Sequence, residues 1–121
     1  MTEPTNDQRI DYVEFAVADI GRSRDFYGKA FGWTFKDYGP QYCEFGDGRL
    51  TGGFALRTSE NAASAQGGPL VIVYAIDLDA AQHRLEQAGA RIVRPAYPFP
   101  GGHRFHFMDL DGYELAVWSA A

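Results

Sequence analysis

From residue 10 the chain alternates with a period of two. Val13, Phe15 and Val17 fall on one face, and Ile10, Tyr12, Glu14 and Ala16 on the other. That pattern predicts a strand over 10–18 whose first face suits a core and whose second face is mixed. Asp19 is placed to cap a helix in which Phe26, Tyr27, Ala30 and Phe31 form the apolar stripe and Gly32 supplies the stop. Strands are predicted over 33–38 and 42–45 around Gly39-Pro40, and over 50–57 after the Asp47-Gly48 turn, the last weakened by Gly52-Gly53. The segment 58–68 is small, polar and aperiodic and reads as a linker loop.

The pattern then begins again. Residues 70–76 are β-branched and apolar, and Asp79 to Gln82 has capping-box spacing at the head of a second helix. Leu78, Ala81, Leu85 and Ala88 give that helix its stripe, and Gly89 its stop. A short strand over 91–94 ends at Pro95, a Pro-rich loop covers 95–102, and a hairpin turning at Asp111-Gly112 closes the chain. Val17-Ala18-Asp19-Ile20 is echoed by Ala75-Ile76-Asp77-Leu78, and Glu44-Phe45-Gly46-Asp47 by His106-Phe107-Met108-Asp109. The expected fold is therefore α+β: two tandem β-α-β-β-β modules forming a curled mixed sheet with an open cup and helices on the outer face. Residues 1–9 are expected to be a disordered tail and 10–121 a single domain. Within it, module one covers about 10–57, the linker 58–69 and module two about 70–119.

Composition narrows the partners. A chain of 121 residues with 45% hydrophobic positions is long enough to bury a core without disulfides, and its single Cys43 allows no intramolecular bridge. The lone thiol fits a cytoplasmic location. A formal charge of −5 lacks the basic footprint of a nucleic-acid binder, although one local arginine suffices to hold a small anion. No apolar run approaches membrane-spanning length, so neither nucleic acid nor membrane is an expected partner.

The candidate chemistry lies on the strands. His103 and His106, three apart, fall on opposite faces of a strand and do not chelate one ion together, while His83 lies off its helix stripe. The glycine pairs lack phosphate-loop spacing, and Cys43 reads as a packing residue. The mixed strand faces carry Tyr12, Glu14, Leu70, Ile72, Tyr74, Glu114, Ala116 and Trp118. Such an aromatic and aliphatic lining with two acids suits a flat or apolar organic ligand; the same side chains could equally pack on one another or on a partner subunit. Arg49, Arg104 and the loop 98–103 are candidates for its rim.

The opening Y-V-E-F-A-V-A-D-I-G-R-S-R-D-F-Y-G-K-A-F-G-W and the closing F-H-F-M-D-L-D-G-Y-E-L-A-V-W resemble the vicinal oxygen chelate superfamily, which includes glyoxalase I, bleomycin- and fosfomycin-resistance proteins and extradiol dioxygenases. The resemblance spans about residues 10–119 and implies a homodimer and a four-ligand metal site. It places three ligand positions at Tyr12, Leu70 and Ala116, and the fourth near 53–55, where no donor stands. No cofactor is therefore expected. A divalent metal shifted onto Glu14 and Glu114 is the alternative, those carboxylates lying one same-face step, ~6.6 Å, from two lost positions.

The leading expectation is a metal-independent, glyoxalase-like small-molecule-binding protein. The alternative is a lyase or isomerase in which Glu14 and Glu114 hold a metal or act as an acid–base pair. Whether the protein is an enzyme stays open at this level.

Overall fold

The computed structural model describes residues 8, 10–59 and 69–120. The first module runs β1 (Tyr12–Val17), α1 (Ile20–Phe31), β2 (Thr34–Asp37), β3 (Tyr42–Gly46) and β4 (Thr51–Leu56). The second runs β5 (Val71–Tyr74), α2 (Leu78–Ala88), β6 (Arg91–Phe99), β7 (Gly102–Met108) and β8 (Glu114–Ser119). Most of the expected tail and of the expected linker lies outside the described residues. The α+β class and the doubled β-α-β-β-β order are as expected, but the strands divide into two four-stranded sheets, ordered β1-β4-β3-β2 and β5-β8-β7-β6. In each, the first strand pairs parallel with the last, and the remaining pairings are antiparallel.

Capping follows the repeat. Asp19 and Asp77 are both extended, and their carboxylates accept the N–H of Arg22 and Ala80 at 3.0 Å each, satisfying helix-start donors. The cap of α2 is thus Asp77, not Asp79, which lies inside the first turn. Gly32 and Gly89 end the helices at φ 72° and 105°, left-handed geometry that costs glycine little.

Strand β6 departs most from expectation. It continues through Pro95 and Pro98 to Phe99 where a loop was expected. It is an edge strand, so the missing proline N–H groups break no ladder on its free side. The register with β7 shifts between Arg94 and Tyr97, a bulge. Residues 94 and 97 would face opposite ways on a regular strand; the extra residue turns Tyr97 onto the face of Arg94.

One apolar core joins the modules. Phe15, Val17, Phe45 and Phe54 of the first sheet and Phe105, Phe107, Leu115 and Val117 of the second pack with Phe26, Tyr27, Ala81 and Leu85 of the helices. Burial of each large side chain contributes about 1.5–3 kcal/mol. Phe26 and Phe31 of α1 reach Phe107 with ring centroids 6.4 and 6.3 Å away. Cys43 is fully buried and its thiol is pushed up by burial, in keeping with a packing role.

The turn between β7 and β8 closes the two modules on each other. Asp109, 7% exposed, accepts the Tyr27 hydroxyl at 2.7 Å and the N–H groups of Asp111 and Tyr113 at 2.9 Å. Asp111 accepts Ala18 N–H at 2.7 Å, Arg22 Nη2 at 2.9 Å and Ser23 Oγ at 3.2 Å. The Tyr113 hydroxyl donates to Ala16 O at 3.0 Å and accepts Ala16 N–H at 2.8 Å, completing the open edge of β1. Three residues of module two thereby satisfy backbone and side-chain groups at the β1–α1 corner of module one.

Burial raises the Asp109 carboxyl above its ordinary value, against the lowering effect of its hydrogen bonds. The folded state therefore holds that proton more tightly than the unfolded chain. This group's contribution to stability is greatest in acid and declines as pH rises from about 4 through its raised value. In Asp109→Asn the pH slope assigned to this carboxyl should be absent from urea unfolding curves, while Asp109→Ala should lose about 1–3 kcal/mol because the buried Tyr27 hydroxyl is left unpaired. An unchanged slope in Asp109→Asn would contradict the assignment.

Candidate functional site

Tyr12 and Glu14 lie on the first sheet, and Ile72, Tyr74, Glu114, Ala116 and Trp118 on the second, with Leu70 just before β5. On the first sheet, Tyr12 and Glu14 of β1 meet Tyr42 of β3. Tyr42 donates to Glu14 Oε1 at 3.0 Å, so its oxygen accepts the Tyr12 hydroxyl at 2.7 Å. Gly53 makes the arrangement possible: a Cβ there would lie 2.0 Å from the Tyr42 hydroxyl and 2.7 Å from that of Tyr12. Burial, then the bonds to Tyr12 and Glu14, push the Tyr42 phenol well above its ordinary value. Glu44 stands in register with Gly53, across from Glu14.

On the second sheet, Glu114, Ala116 and Trp118 of β8 lie in register with Met108, His106 and Arg104 of β7. Ile72 and Tyr74 flank Ala116 and Trp118 from β5. His106, 5% exposed, is held through both ring nitrogens. Nδ1 lies 2.8 Å from Glu114 Oε2, and Nε2 lies 2.8 Å from the Tyr97 hydroxyl. Arg104 Nε donates to that same hydroxyl. The direction of the Tyr97–His106 bond follows the imidazole tautomer; an Nδ1–H would donate to the Glu114 carboxylate. Arg94 and Arg104 lie over the Tyr97 ring with guanidinium carbons 3.9 and 5.4 Å from its centroid, and Arg104 is 5.6 Å from that of Phe99.

Beside this network runs an aromatic wall. Trp118 meets Tyr74 edge-on at 4.9 Å and Phe99 at 6.0 Å. Leu70, Ile72 and Tyr74 are 37%, 43% and 53% exposed, a row of large apolar groups in water. Glu14 and Glu114 belong to different sheets, and each carboxylate is engaged by a partner of its own sheet. Sequence reasoning missed Tyr42, Tyr97 and the role of His106. Tyr97 was hidden because alternation cannot register a bulge; the pairing of His106 with Glu114 needed the β7–β8 register.

The metal positions implied by the resemblance do not fit a divalent ion. Tyr12 is bound to Tyr42, Leu70 is apolar and Ala116 has no donor atom. The Cβ space at Gly53 is taken by two tyrosine hydroxyls. Among the described residues, no three His, Cys, Asp or Glu side chains converge on a point. A recess of about 420 Å³ lies elsewhere, along α1 between Asp19, Arg22, Asp25, Phe26, Lys29, Ala88 and Leu110. Its Asp19 caps α1 and its Arg22 is bound to Asp111, so two of its polar groups are already engaged. The strand faces are the better candidates on chemistry.

Comparison with known proteins agrees with this architecture. Residues 9–117 match the Glyoxalase/Bleomycin resistance protein/Dioxygenase superfamily. No curated protein matches the sequence. Among solved structures, hypothetical protein SA1046 from S. aureus is similar at 18% identity and a TM-score of 0.77, with 93% of each chain covered. TioX from Micromonospora sp. ML1 is similar at 25% identity and a TM-score of 0.72, covering 92% of this chain and 98% of that one. The fosfomycin resistance protein FosX from Listeria monocytogenes, solved as a mutant with Mn(II) and 1S,2S-dihydroxypropylphosphonic acid, is similar at 14% identity and a TM-score of 0.78, covering 94% and 91%.

Proposed function

The chain belongs to the Glyoxalase/Bleomycin resistance protein/Dioxygenase superfamily, and from that premise we propose that it binds a flat, largely apolar organic compound without a metal. The observation that carries this reading is the wall of Trp118, Tyr74 and Phe99 beside the exposed Ile72 and Leu70 on the second sheet. Exposed apolar groups gathered on one strand face favour a ligand or a partner over bare solvent. Of the residues expected to bind ligand, Leu70, Ile72, Tyr74 and Trp118 form this set; Tyr12 lies on the first sheet and Ala116 is fully buried. Glu114 holds His106, and through it the Tyr97 hydroxyl, on this sheet, whereas Glu14 is engaged by Tyr42 on the other. Of the relatives, FosX was solved with a metal and a small organic acid; the donors lost at Leu70 and Ala116 support a metal-free version of such binding here.

The proposal includes a homodimer in the cytoplasm. Support for the dimer comes from the edge strands β1 and β5, where Tyr12, Ile72 and Tyr74 are exposed, and from exposed Ile10 just before β1. Light scattering on the purified protein should return twice the mass of one chain; a monomer across the micromolar range would contradict it. Elemental analysis of protein purified without chelator should find no stoichiometric Zn, Ni, Mn or Fe. A stoichiometric metal lost in Glu14→Gln or Glu114→Gln would overturn the metal-free reading.

Binding is tested by a thermal-shift panel of flat aromatic compounds. A true ligand at a hundredfold excess over Kd stabilises by about 2.7 kcal/mol, a rise of several degrees in Tm. That rise should disappear in Trp118→Ala, while the unliganded Trp118→Ala stays folded. A full shift retained in Trp118→Ala would exclude the second sheet as the site.

A further inference from the structure

The second sheet carries an arrangement that the apolar wall does not require. Arg94 and Arg104 sit over the same Tyr97 ring, and among the described residues neither is paired with a carboxylate. The chain as a whole is acidic, with a formal charge of −5, so two guanidiniums on one ring without a carboxylate partner are a local exception. Neighbouring like charges repel unless something offsets them. The π-face of Tyr97 does so in part, and an anion bound between them would do so fully.

The cations are also held in place. Arg104 Nε is fixed by the Tyr97 hydroxyl, that hydroxyl by His106 Nε2, and His106 Nδ1 by Glu114. The bulge between Arg94 and Tyr97 puts Arg94 and the ring on one face. Arg104 stands in register with Trp118, so the cationic pair adjoins the aromatic wall. A guanidinium whose Nε is engaged keeps its terminal N–H groups for a second acceptor, and the planar fork matches a carboxylate in two-point contact.

From this juxtaposition we infer that the ligand of the second sheet is an aromatic carboxylate. Its ring lies against Trp118 and Phe99, and its carboxylate is received by Arg94 and Arg104. The inference rests on the aromatic-wall reading above and adds the charge of the ligand to it.

Isothermal titration of the full chain with 2-naphthoate and with neutral 2-naphthamide separates the two. The wild-type protein should bind the acid roughly tenfold or more tightly than the amide at low salt, and added salt should narrow the gap. Arg94→Gln, at an exposed side chain with no ion pair to lose, should weaken the acid roughly tenfold and leave the amide unchanged. Arg104→Lys should do the same, because an ammonium has no fork. Equal affinity for acid and amide, both lost in Trp118→Ala, would overturn the carboxylate inference while leaving the aromatic wall standing. Acid preference that survives in Trp118→Ala would count against the wall and support the arginine pair. Acid affinity unchanged in Arg94→Gln, or no binding of either probe, would overturn the inference.

Discussion

The fold depends on the corner where the D-L-D-G-Y turn of the second module meets the first. Asp109, Asp111 and Tyr113 supply acceptors and donors to Tyr27, Ala16, Ala18, Arg22 and Ser23, groups that would otherwise be unsatisfied at a strand edge and a helix start. The Arg22 and Arg57 pairs with Asp111 involve arginines 41% and 32% exposed, so water screens them and the backbone bonds matter more. The turn shares one core with both helices, which holds the modules together through apolar packing as well. The aspartate-rich turn is a structural joint.

The two modules use this plan unequally. Asp47, the counterpart of Asp109 in the repeat, is exposed and accepts the N–H groups of Arg49 and Leu50 within its own turn. With the second module's turn committed to the first, the faces away from the core are left to differ. Gly53 and Ala116 occupy equivalent places, opposite Glu44 and His106. Over Gly53, two tyrosine hydroxyls close on Glu14; across from Ala116, His106 is pinned between Glu114 and Tyr97. The first face is self-satisfied, and the second keeps two cations and an aromatic wall.

Much of the fold was legible because it is local. Period-two and period-3.6 patterns, the Asp19 cap and the Gly32 and Gly89 stops all act within a few residues. The repeat itself pointed to Asp77 as the second cap, and the capping-box spacing after Asp79 drew attention away from it. Pro95 argued for a loop because a proline's ladder cost depends on whether its strand is central or at the edge, which only the sheet order decides. The candidate site was legible by face. Alternation assigned Tyr12, Glu14, Ile72, Tyr74, Glu114 and Trp118 to the strand faces away from the core. It could not pair His106 with Glu114, nor bring Tyr97 onto that face, because register and bulges depend on tertiary pairing.

The proposed ligand surface is the face of β6, β7 and β8, with the core on the opposite side. Amide and indole chemical-shift mapping during titration with 2-naphthoate locates binding directly. Trp118 and Trp33 are built-in reporters: Trp118 stands in the wall, and Trp33 is stacked in the core on Tyr27 and Phe45 at 4.7 and 4.6 Å. The account predicts progressive shifts of the Trp118 indole and the Arg104 Nε–H with the Trp33 indole unmoved. Shifts centred on Tyr12 and Tyr42, or along α1 around Arg22 and Lys29, would contradict it.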